Sequence, residues 1–209
     1  MSNRQLIQIS KILSNLFSPF YAPLWAFVWM FYFSYLEMLP WNYKVFIMTL
    51  VWVTTVLIPR FGINMFRIVM DWTHWQLSHR EHRHLPYIVT VCSYSACLVI
   101  MTKLNVPMFI RGIVLTALVS QVICVLLNAW WKVSTHMVGM GGLVGALIAF
   151  SMLFYFNPVF LLCILLILSG LVGTARIILR QHTLAQVFVG FIIGFVCAMV
   201  FVMISWFPV

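Results

Sequence analysis

Acidic residues are almost missing. Glu37, Asp71 and Glu81 are the only three in 209 residues, against twelve Lys or Arg, and the formal charge is +9. Charge of either sign is scarce: 7% of residues are charged and 64% are hydrophobic, where a soluble domain carries about 25% charged residues. That shortage excludes an ordinary soluble domain and places the chain among integral membrane proteins. The basic balance does not make a nucleic-acid binder, which needs a soluble basic face. Here the cations stand singly, or in one cluster, at the edges of apolar runs. Anionic membrane lipids and phosphate-bearing substrates suit such cations better. Paired cysteines are also lacking. Cys92, Cys97, Cys124, Cys163 and Cys197 all lie in apolar runs without CxxC spacing, so they read as small core hydrophobes and no disulfide is expected. No cleavable signal peptide is evident. No repeat, low-complexity tract or linker divides the chain, so a single domain over 1–209 is expected.

What is present is a series of apolar spans. A bilayer core needs about 20 apolar residues per helix. Spans are expected over 20–38, 43–57, 87–101, 109–131, 137–156, 159–173 and 183–206. Residues 1–18 alternate Leu and Ile with Arg4 and Lys11 and read as an interfacial lead-in. The second span is the weakest, so the expectation is an all-α integral membrane bundle of six or seven transmembrane helices. If each span crosses once, the loop 60–86, the break 132–136 and the strip 174–182 share one face. Arg4, Lys11, Arg60, Arg67, Arg80, Arg83, Lys132, Arg176 and Arg180 then lie on that face. The positive-inside rule would make it cytoplasmic. Setting aside the five cations that chemistry could explain leaves four against three, so orientation stays open.

The strip 176–186 concentrates cations and imidazole where charge is costly. Arg176, Arg180 and His182 stand between apolar spans, a placement that suits contact with an anion. Arg180 reads equally well as a helix-end anchor in the head groups, and Arg80 likewise. The fifth span carries Gly141-x3-Gly145 and the seventh Gly190-x3-Gly194. Small residues four apart let membrane helices approach closely. Close packing of these two spans would bring His136 and His182, which begin them, to one place.

Arg176-x5-His182-x3-Gln186 and Ser134-Thr135-His136 resemble the third and second motifs of the type 2 phosphatidic acid phosphatase superfamily. Those lipid phosphate phosphatases share a fold with vanadium haloperoxidases. The family's third motif is Ser-Arg-x5-His-x3-Asp and its second Pro-Ser-Gly-His. The first, Lys-x6-Arg-Pro, is matched loosely by Arg80, Arg83 and Pro86. The resemblance spans about 78–195 and implies a phosphatidate-phosphatase or haloperoxidase-like core. It further implies a metal-independent, cofactor-free hydrolase acting on a phosphorylated lipid: phosphatidate, phosphatidylglycerophosphate or a polyprenyl diphosphate. By that resemblance His182 attacks phosphorus, His136 protonates the leaving group, and Gln186 orients His182. Arg176, Lys132, Arg83, Arg80, Ser134 and Thr135 hold the phosphate.

The residue types suit that chemistry. A phosphate monoester is doubly negative and needs fixed cations. Arg176 offers a bidentate fork and Lys132 a point charge, although Lys132 follows Trp130-Trp131 and could instead snorkel to the interface. A neutral imidazole can take the phosphoryl group covalently, and a second can act as acid. The departures from the family are specific. Gln186 stands where the family has Asp; it can accept a hydrogen bond but supplies no charge. Ala175 replaces Ser, and Val133 and Thr135 replace Pro and Gly. A lipid-phosphate binding or transport protein without turnover is the alternative reading. His74, His79, His82 and His84, with Asp71 and Glu81, offer metal-ligand types, but their spacing matches no zinc motif.

Overall fold

The computed structural model describes residues 3–70 and 84–206. Among them the regular structure is helical, with nine α-helices and no strand. These are α1 (Asn3–Leu16), α2 (Ala22–Phe33), α3 (Trp41–Trp52), α4 (Ile58–Val69), α5 (His84–Lys103), α6 (Met108–Asn128), α7 (Thr135–Phe154), α8 (Val159–Ile178) and α9 (Leu184–Ile204). Among the described residues seven segments are long and apolar enough to cross a membrane, as befits a multi-pass membrane protein.

Three boundaries differ from expectation, each for a local reason. The first is at the N-terminus. The lead-in and the first span join in one candidate span, Arg4–Phe33, bent at Pro19, which opens a short 3-10 turn, Pro19–Tyr21. α2 alone has 12 residues, which at about 1.5 Å each fall short of a ~30 Å core. α1 is amphipathic in the membrane sense. Ser10 and Ser14 are buried while Ile7, Ile9, Ile12 and Leu16 face outward, and the helix packs on α8.

The second difference lies at Pro59. The chain from 60 onward was expected to be a loop, yet the helix runs on to Val69. Proline has no N–H and crowds the preceding turn, so a plain α-helix would break there. A π-helical turn, Val53–Leu57, absorbs it. In this wide turn the Ile58 N–H reaches back five residues to the Val53 carbonyl. The Thr54 carbonyl would, in the same register, need an N–H from residue 59. Ser93 Oγ on α5 donates to it instead. The whole span Trp41–Val69 has 29 residues, about 43 Å at 1.5 Å per residue, so its last turns outrun a ~30 Å core. Arg67 lies on those last turns.

The third difference is at α8, which continues past Gly173 to Ile178. Arg176 therefore stands in the last helical turn and not in a loop. Arg180, at φ 52°, ends the helix. Its N–H bonds the Ile177 carbonyl (2.9 Å) and the Gln181 N–H bonds the Arg176 carbonyl (3.1 Å). This is the paired closure of a left-handed helix terminus, a place usually given to glycine.

α7 is the central helix, packed on α2, α6, α8 and α9. Its contact with α9 is as close as the two glycine patterns suggest. A Cβ on Gly141 would overlap the Phe191 carbonyl, and one on Gly194 the Val138 carbonyl. A Cβ on Gly190 would stand 2.7 Å from the Ser134 oxygen. Backbone thus lies on backbone along this pair, which is what small residues permit in a bilayer.

Candidate active site

The starts of α7 and α9 and the end of α8 meet at one end of the bundle. The α8 closure just described returns the chain so that Gln181 lies over its own helix end. Arg176 Nη2 donates to Gln181 Oε1 (2.6 Å). Arg176 is 8% exposed and His182 8%. Such groups stay buried only where other polar groups compensate them.

α9 starts with a capping box. The Gln186 N–H donates to Thr183 Oγ1 (3.4 Å) and the Thr183 N–H donates to Gln186 Oε1 (3.2 Å). That reciprocal pair is a sequence-coded helix start. The same Oε1 lies 3.2 Å from His182 Nδ1. An amide oxygen only accepts, so Nδ1 carries the hydrogen. The lone pair of a neutral His182 is then on Nε2. Gln186 does two things with one oxygen: it caps the helix and sets the imidazole tautomer.

α7 starts against α9. The Ser134 N–H donates to the Gln186 carbonyl (3.4 Å), tying the two motifs by backbone. His136 Nε2 stands 3.1 Å from the Ser14 carbonyl of α1. A carbonyl only accepts, so here Nε2 carries the hydrogen. Its Nδ1 is buried without a hydrogen-bond partner. The two histidines therefore hold opposite tautomers. The N-termini of α7 and α9 add positive partial charge at the same end.

A cavity of about 240 Å³ opens here. Arg176, His182, His136 and Thr135 line it, with Ser18, Pro19, Pro86, Tyr87, Thr90, Tyr94 and Gln121. A fixed cation, two imidazoles and two helix N-termini around one polar space can bind an anion, take a group from it and move a proton. Gln186 stands behind His182 and does not line the cavity. Neither Ser134 nor Lys132 lines it. Ser134 is fully buried; its N–H is taken by Gln186 and its Oγ has no hydrogen-bond partner. Lys132 is half-exposed in the turn before α7. Arg180 is exposed and shapes the turn through its backbone. Arg80, Arg83, Glu81, Asp71, His74, His79 and His82 lie outside the described residues. Among the described residues no three His, Cys, Asp or Glu are grouped to hold a metal ion.

Sequence reasoning missed Tyr94, Gln121 and the Ser14 carbonyl. Two had a signal. Tyr87, Thr90 and Tyr94 recur at helical spacing on one face of an otherwise apolar span, and Gln121 is an amide inside another. Intramembrane polar groups of that kind mark cavities. The Ser14 carbonyl had none, because every residue has a carbonyl. Compared with models of protein families, with curated proteins and with solved structures, the chain matches none.

Proposed function

We propose that this chain is a membrane-embedded, metal-independent phosphatase of the phosphatidic acid phosphatase type. It hydrolyses a lipid phosphate or diphosphate through a phosphohistidine. One observation carries the reading: Arg176, His182 and His136 line one cavity, with His182 Nδ1 held by Gln186 so that Nε2 keeps its lone pair. The motif spacing supports it independently.

Arg176 and the helix N-termini hold the phosphate and stabilise the charge that spreads over its oxygens in the transition state. His182 Nε2 attacks phosphorus. The P–O bond to the leaving group breaks as His136, protonated, gives it a proton. Neutral His136 then takes a proton from water, which attacks the phosphohistidine and frees inorganic phosphate and His182. The acyl or prenyl chain stays among the helices. Arg80 and Arg83 stay in this proposal on the motif resemblance alone, and Lys132 as a cation outside the cavity.

The test is phosphate release by the purified protein in detergent, over phosphatidate, phosphatidylglycerophosphate and a polyprenyl diphosphate, beside His182→Ala. Release that vanishes in the variant and is inhibited by vanadate, a mimic of the five-coordinate transition state, is expected. A demonstrated activity untouched by vanadate would overturn the phosphohistidine.

A second reading, a lipid-phosphate binding or transport protein without turnover, has one observation in its favour. Gln186 brings no charge to the imidazolium, and Glu37, the only acid among the described residues, sits at the far end of the bundle in the turn after α2. It predicts binding without release in the wild type, with turnover gained by Gln186→Glu.

A further inference from the structure

The cavity at the histidines does not end at them. A second cavity, of about 60 Å³, continues inward between α2, α6 and α7. Four residues line both: Pro19, Tyr94, Gln121 and Thr135. Beyond this junction the walls are mostly small and apolar, with Ala22, Ala26, Gly139, Gly142 and Leu143. Thr116 and Ser120 also reach the inner cavity, but their hydroxyls are spent on their own helix, donating to the Gly112 (2.8 Å) and Thr116 (2.6 Å) carbonyls.

The junction is different. Tyr94 is 3% exposed and Gln121 half-buried, and both side chains line the space that the two cavities share. Polar groups held this way in a membrane interior are costly unless something bonds them. None of the four junction residues is a cation, so the junction suits neutral oxygens better than a second phosphate, which calls for fixed positive charge. It adjoins the cavity lined by Arg176, His136 and His182, and on the phosphatase reading it would take the first atoms of a leaving group.

We propose that Tyr94 and Gln121 form a hydrogen-bonding subsite for the oxygens next to the scissile phosphate. The substrate is then a glycerolipid phosphate monoester, whose ester and hydroxyl oxygens lie within a few bonds of phosphorus. A polyprenyl monophosphate offers only carbon at that depth and gives neither group a partner. This assignment rests on the phosphatase reading for the position of the phosphate. Arg176 and the imidazoles take the phosphate; Tyr94 O–H and the Gln121 amide donate to the glycerol backbone; the chain continues along Ala26 and Leu143.

Two measurements separate this proposal from the reading beneath it. The first is the affinity of full-length His182→Ala protein in detergent for dioleoyl phosphatidate and for geranylgeranyl phosphate, alone and with Gln121→Leu or Tyr94→Phe added. Each added substitution is expected to weaken phosphatidate about tenfold, the loss of one buried hydrogen bond, and to leave geranylgeranyl phosphate within about twofold. The second is turnover of both lipids by the same substitutions in the wild-type background, with the same selective loss in kcat/KM. Selective binding loss without any turnover would remove the phosphatase and keep the subsite. Turnover with equal losses on both lipids, or a preference for the prenyl lipid, would overturn the subsite and keep the phosphatase. Neither turnover nor selective binding would overturn both.

Discussion

At the end of the bundle where α7 finishes, Phe109, Phe150, Phe154 and Trp206 meet ring against ring, with centroids 5.2 to 5.9 Å apart. Two of the cations there are bonded by the chain itself. Buried Lys44 donates to the Glu37 carbonyl (2.6 Å), and Arg111 to Thr102 Oγ1 (2.9 Å). At the end where α7 starts, Arg176, two histidines, Tyr94 and Gln121 surround open space. Rings pack by area and tolerate exchange. The polar end is directional: a single oxygen, Gln186 Oε1, serves a helix cap and a histidine together. One end is thus closed by its own packing, and the other leaves polar groups around a cavity.

Four substitutions test how separate the two ends are. Arg176→Ala should have the largest effect, lowering kcat by about 10²–10³ as the loss of one charge-stabilising donor does, while a detergent melting curve moves little. If the melting temperature collapses, Arg176 is a structural group. Gly194→Ala should damage both properties. The added Cβ meets the Val138 carbonyl, the α7–α9 pair must part, and about 1–3 kcal/mol of stability is lost; activity should fall with it, because His136 and His182 ride on these two helices. Phe154→Leu should cost about 1 kcal/mol through lost ring contacts and leave kcat per folded molecule unchanged, a point that a titration of active molecules checks. A changed kcat would mean that the two ends communicate. Arg180→Gly should have the smallest effect and the opposite sign. Relief of its left-handed backbone, offset by glycine's freedom when unfolded, leaves a gain of about 0.5 kcal/mol, read as a slightly higher melting temperature.

The helices were legible because apolar length is a blunt, additive signal. Residues 137–156 and 183–206 stand out on composition alone, and α7 and α9 fall within two residues of those limits. The glycine pairs were legible as well, since a missing side chain matters wherever two backbones meet. The helix through Pro59 was not. Proline reads locally as a stop, and the group that supports the π turn, Ser93, lies 39 positions away. In the candidate site, Arg176, His136 and His182 could be read from spacing, because helix ends fix which residues emerge together. Lys132 and Ser134 could not be placed that way: the turn before α7 decides which side chains reach the cavity, and a turn has no periodicity. Tyr94 and Gln121 needed the packing of α5 against α6 to become neighbours.

The contact between α1 and His136 also bears on the order in which the protein is assembled. Residues 14 and 136 are 122 positions apart, and the α8 surface that covers α1 is later still. α1 is made before either partner exists, so Ser10 and Ser14 must wait in the interface, with their hydrophobic neighbours holding the helix to the lipid. The cavity can take its final form only once α7 and α8 have been made, because the surface that α1 packs on comes from them. The site therefore cannot be complete in a half-made chain, since its lining runs from Ser18 to His182.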